Sequence, residues 1–96
     1  MERINLRLGS IAFDYADYDA EFDILYLRVG EPESSEAEDT PEGHSIHYAM
    51  GADRIVGLTI FNPRYILEHE GRLTVTLPET VETRSAEDMA DALAAV

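Results

Sequence analysis

The chain contains no cysteine, no tryptophan and no lysine. Without cysteine there is no disulfide framework, no thiolate nucleophile and no cysteine metal site. This suits a reducing compartment. Without lysine, all seven bases are arginine, and they face 20 acidic residues for a net charge of −13. Direct phosphate contacts to nucleic acid need a positive field, and so does an anionic membrane surface. Both partners are therefore disfavoured. Long apolar runs are also missing. Ile24–Leu27 is a typical one, far short of a membrane span. Met1–Arg7 lacks the apolar core of a secretion signal. The expectation is a cytoplasmic protein with no cofactor.

What is present is enough for one small domain, residues 1–96. Residues 1–10 are either weakly ordered or a short strand through Ile4, Leu6 and Leu8. Ile11–Tyr15 reads as a strand with Ile11, Phe13 and Tyr15 on one face, and Ala16–Glu21 as an acidic turn. Phe22–Val29 is the clearest strand: Leu25, Leu27 and Val29 alternate with Phe22, Ile24, Tyr26 and Arg28. Both of its faces are largely apolar, as in a strand covered on both sides. Residues 30–43 hold Glu31, Glu33, Glu36, Glu38, Asp39 and Glu42 with no base and no large apolar residue. That composition predicts a mobile loop.

His44–Met50 and Arg54–Phe61 flank Gly51-Ala52-Asp53 and predict a hairpin. Gly57 in mid-strand marks a bulge or a close approach. Pro63–Leu67 fits one helical turn, since proline suits the first helical position. Arg72–Leu77 alternates as a last strand, stopped by Pro78. Ser85 is a helix cap followed by Glu87 and Asp88, and Met89, Ala92, Leu93 and Val96 recur at helical spacing. The predicted fold is α+β: an antiparallel sheet of four to five strands with one C-terminal helix over residues 85–95.

Two segments carry a family resemblance. Tyr18-Asp19-Ala20-Glu21-Phe22-Asp23-Ile24-Leu25-Tyr26-Leu27 is an acidic turn running into an aliphatic-Tyr-aliphatic strand. Ile46-His47-Tyr48 turns back into Arg54-Ile55-Val56-Gly57-Leu58-Thr59-Ile60. In order and spacing the pair resembles the small bacterial family called domain of unknown function 2283, over about residues 13–67. The chain departs from that pattern at His47, at Met50–Asp53 and at Thr59, where the family usually places acids or an Asp-x-x-Gly turn. The resemblance implies a small antiparallel sheet and no established activity. It also implies that an antitoxin-like role, beside a small toxin-like protein, is conceivable.

The candidate chemistry is thin. Asp17, Asp19, Glu21 and Asp23 alternate like the start of a calcium loop, but Phe22 and Arg28 stand where its glycine and bidentate glutamate belong. They read better as a solvated turn. His44 and His47 lie three apart on a strand and point to opposite faces, so they cannot share a metal in one subunit. Glu68, His69 and Glu70 have no nucleophile nearby, and Ser34, Ser35 and Ser45 have no activating partner. Among the tyrosines, Tyr26 and Tyr48 are the candidate interface anchors.

The reading is a non-enzymatic interaction module. It would form a homodimer, because both faces of the central strand are apolar and the helix is short. It would also bind a small basic protein, steered by the acids of residues 30–43. The alternative is an enzyme or small-ligand binder with a pocket between sheet and helix, using His47 and Tyr48.

Overall fold

The computed structural model describes residues 1–95; Val96 lies outside them. Eight strands and two helices follow one another: β1 (Glu2–Leu8), β2 (Ile11–Asp19), β3 (Ile24–Arg28), β4 (Ser35–Asp39), β5 (Ser45–Ala49), β6 (Ile55–Phe61), α1 (Pro63–Glu70), β7 (Arg72–Thr76), β8 (Val81–Ser85) and α2 (Ala86–Leu93). The α+β class is as expected. The strand count is not. The main sheet has six strands in the order β1-β2-β3-β6-β5-β4, and β7 and β8 form a separate two-stranded ribbon. The single C-terminal helix becomes two helices, because α1 runs eight residues rather than one turn.

Every pairing is antiparallel. Gly9 and Ser10 close the first hairpin, with Gly9 at φ +61°, the conformation a two-residue turn needs. Directly opposed residues share a face, so the register sorts the sheet into two sides. Leu6, Phe13, Ala16, Tyr18, Leu25, Leu27, Leu58 and Ile60 fall on one side and are buried. Leu67 of α1, Leu73 and Val75 of β7, and Met89 and Ala92 of α2 pack onto that side in one core. Each buried leucine, isoleucine, valine, phenylalanine or methionine among them contributes roughly 1.5–3 kcal/mol. Among the described residues no helix packs on the other side. Tyr15, Arg28 and Gly57 line up across it, as do Asp17, Tyr26 and Thr59, and Asp19, Ile24 and Phe61.

Three local expectations fail for physical reasons. Ser35–Asp39 lies inside the predicted loop yet is a strand, because its backbone completes the ladder along β5. Its one apolar residue is the small Ala37, and all five of its residues are exposed. Residues 16–19, expected as a turn, extend β2 along β3. Tyr15 does not share a face with Phe13. The β1–β2 register slips between Arg3 and Leu6, and burial along β2 passes from Phe13 to Ala16 and Tyr18. Tyr15 thereby joins the bare face, where the guanidinium groups of Arg3 and Arg28 lie 5.6 and 4.8 Å from its ring centre.

Other expectations hold. Ser85 caps α2 in a reciprocal capping box, its Oγ accepting from the Asp88 amide while the Asp88 carboxylate accepts from the Ser85 amide. Leu73, Val75 and Leu77 are buried together. At its far end α2 leads to Ala95, whose carbonyl accepts the Tyr18 amide where β1 no longer covers β2. Gly57 combines both sequence signals. A β5–β6 irregularity lies beside it, and a Cβ there would meet the Leu27 carbonyl oxygen at 3.0 Å and the His47 ring at 3.4 Å.

Candidate functional site

The acidic turn that opens β3 is a structural hub. Asp19 Oδ1 accepts the amides of Glu21 (3.0 Å) and Phe22 (3.1 Å), closing the turn. Asp23 follows in the left-handed conformation at φ +55°, which short polar side chains tolerate best. Its carboxylate accepts the Tyr18 hydroxyl at 2.7 Å and the amides of Arg64 (3.1 Å) and Tyr65 (3.0 Å). Those two amides open α1, whose own N-cap, Asn62, makes no side-chain cap bond. Asp23 therefore caps, from another element, a helix 40 residues further along the chain. Burial pushes its carboxyl up, but the bonds from Tyr18, Tyr65 and Arg64 and the Arg64 charge outweigh that and hold it below the usual carboxylate range. Tyr18 responds in the opposite sense: burial first, then the bond and charge of Asp23, raise its phenol to about 12.

The six acids expected to steer a partner divide into two groups. Glu33 forms a two-pronged ion pair with Arg54, at 3.1 and 2.8 Å. Glu42 accepts the Thr76 amide at 2.8 Å and the Thr76 hydroxyl at 2.6 Å, fastening the segment to β7. Glu31, Glu36, Glu38 and Asp39 have no hydrogen-bond or ion-pair partner among the described residues, and all are exposed.

The histidines also separate. His44 is buried, and its Nδ1 accepts the Phe61 amide at 3.1 Å. The neutral ring then carries its proton on Nε2, which is buried without a partner among the described residues. Burial holds His44 below the usual imidazole range against the pull of Glu42. His47 points to the bare face and shares a 2.8 Å hydrogen bond with Thr59. Tyr48, the next residue, lies on the opposite side, half-buried against the core. The pairing of His47 and Tyr48 in one pocket between sheet and helix is not formed. A shallow hollow of about 190 Å³ does lie on the bare face, with His47, Thr59, Tyr26, Arg28 and Gly57 around it.

The bare face carries exposed aromatic side chains. Tyr26 and Phe61 are more than one-third exposed, and Ile24 lies between them in the register. Phe22, in the turn before β3, is two-thirds exposed. Asp17 stands across from Tyr26 and Asp19 across from Ile24. On the far side of the sheet, Asp39 pairs with Ser45 and Ser45 with Thr59, in the same layer. The result is an apolar, aromatic centre with carboxylates on both flanks. Of the sequence candidates, Tyr26 belongs to this centre and Tyr48 does not. Phe61 and Ile24 complete it. Their signal in the sequence was alternation with Leu25 and Ile60, which implies a second apolar face.

No family model, curated protein or solved structure matches this chain, and the family resemblance rests on the residues that carry it.

Proposed function

We propose that the protein is a non-enzymatic interaction module whose bare sheet face receives a small basic protein. The observation that carries this reading is the cluster of exposed Tyr26 and Phe61 with half-buried Ile24, bordered by Asp17, Asp19 and Asp39. Interfaces commonly combine a desolvated aromatic centre with a polar rim. With a net charge of −13, opposite fields steer a basic partner toward that rim. A second copy on the same face would bring like-charged rims together, so a basic partner suits the face better than a homodimer. An antitoxin-like role, masking a small basic toxin-like protein, is the sharpest form of the proposal.

The test is capture from lysate at low salt by the immobilised full chain, with Tyr26→Ser as the comparison. The expected catch is a stoichiometric small basic protein, released steeply as salt rises and lost with Tyr26→Ser. Recovery of the bait alone would sink the proposal. So would capture that the Tyr26 substitution leaves unchanged. Sedimentation of the purified chain reads self-association separately.

A further inference from the structure

A hollow lies on the helix-bearing side of the sheet, at the end away from α1. There the connection between β7 and β8 folds across the start of β2 and the end of β3. It encloses the hollow, of about 490 Å³ and walled by Ile11, Val29, Ile55, Leu77 and Pro78. A neighbouring hollow of about 500 Å³ shares Asp53, Pro78 and Glu79 with it and continues to Tyr48. The two hollows adjoin at these shared residues. Each falls within the range of small-molecule sites.

The charges of the groove are one-sided. Arg54 reaches its rim, but its guanidinium is held by both oxygens of Glu33. The Thr80 hydroxyl donates to Glu82 at 2.9 Å. Asp53 and Glu79 stand where the two hollows meet, and neither has a hydrogen-bond or ion-pair partner among the described residues. Glu36 and Glu38 of β4 add two more carboxylates at the Tyr48 end. The apolar walls favour a ligand with a hydrophobic body, and the free carboxylates select the sign of its head group.

We infer that this groove binds an organic cation with an apolar body, an arylalkyl or alkyl amine in chemical class. The apolar body lies on Ile11, Val29 and Ile55, and the ammonium faces Asp53 and Glu79. An anion of the same shape meets repulsion there, and a neutral analogue gains the burial without the charge. Discrimination of this kind is a difference between attraction and built-in repulsion. The site is independent of the Tyr26 face, which lies across the sheet.

The test uses 2-phenylethylamine as the probe, with 3-phenylpropionate as its anionic counterpart, on the full chain. Methyl resonances of Ile11, Val29 and Ile55 report occupancy, and the melting temperature reports linkage. The amine should saturate these shifts and raise the melting temperature, and the propionate should do neither. The paired variant Asp53→Asn with Glu79→Gln should weaken the amine by roughly three- to tenfold, the scale of two exposed charge contacts. Both positions are exposed, so the variant keeps the fold. Tyr26→Ser should leave amine binding unchanged even though it removes the basic partner. Equal binding of amine and propionate would overturn the inference. So would shifts that never saturate, or a paired variant that binds like the native chain.

Discussion

Removing the Asp23 carboxylate should destabilise this fold more than removing any other acid. Three effects combine in Asp23→Ala. The amides of Arg64 and Tyr65 lose their cap, which costs about 1 kcal/mol. The Tyr18 hydroxyl, on a side chain only 3% exposed, loses its acceptor, for roughly 1–2 kcal/mol. Alanine must also hold the left-handed backbone that Asp23 adopts at φ +55°, for about 1 kcal/mol. The sum is about 3–4 kcal/mol. In a domain of this size that lowers the melting temperature by roughly 12–30 °C. Asp23→Asn keeps the shape and tolerates the backbone, so its cost should be about 1–2 kcal/mol. Urea unfolding followed by circular dichroism measures both. Combining Asp23→Ala with Tyr18→Phe supplies a double-mutant cycle, and the pair should fall short of additivity by about 1 kcal/mol. Amide exchange at Arg64 and Tyr65 should accelerate in Asp23→Ala before the core opens. Asp23 is not a hub if Asp23→Ala lies within about 0.5 kcal/mol of the native chain, or if the cycle is additive.

Two further outcomes follow from buried groups. Gly57→Ala places a methyl 3.0 Å from the Leu27 carbonyl and 3.4 Å from the His47 ring, and should cost about 1–3 kcal/mol in urea unfolding; a neutral result would mean β3 and β6 are not in such close approach. His44 sets a pH dependence. Its folded pKa is depressed by burial, so the unfolded chain takes up the proton first as pH falls below about 6.5. The stability it contributes is complete above that value and is lost as pH falls toward the folded pKa. His47 is depressed in the same sense, also by burial. Urea midpoints at about pH 7.5 and 5.5 should therefore differ in the native chain and differ less in His44→Asn, whose side-chain oxygen can still accept the Phe61 amide.

Which parts of the fold were legible depended on whether the signal was local. Leu25 and Leu27 alternate with Ile24 and Tyr26, so β3 declared itself. Ser85 followed by Glu87 and Asp88 announced α2. β4 carried no such signal: Ser-Glu-Ala-Glu-Asp has neither alternation nor strand formers, and its neighbour β5 makes it a strand. β8 offers only a short alternation of Val81 and Thr83 with charged residues, both are exposed, and pairing with β7 orders them. The length of α1 was hidden because its cap comes from Asp23, far back in the chain. Asp23 itself was in plain view within the family-like motif, and the motif's acids read as a solvated turn. The structure gives Asp19 and Asp23 specific hydrogen-bonding duties that spacing alone does not reveal. The groove at Asp53 and Glu79 was invisible for a related reason: its walls come from four separate stretches of chain.

The fates of the acids bear on the partner. An edge strand with free backbone groups invites another strand, and charge is one way to prevent that. In β4, Glu36, Glu38 and Asp39 are exposed at such an edge. Two copies meeting there would oppose carboxylates directly, which is destabilising. The same charges leave a basic chain unopposed. Glu33 is neutralised by Arg54, while Glu42 keeps its charge although Thr76 fixes its position, so the field that would reach a proposed partner comes from Glu31, Glu36, Glu38, Asp39 and Glu42, together with Asp17 and Asp19 across the sheet. On the proposed reading, keeping copies apart and drawing a basic partner in are one electrostatic arrangement, and rising salt should weaken both together.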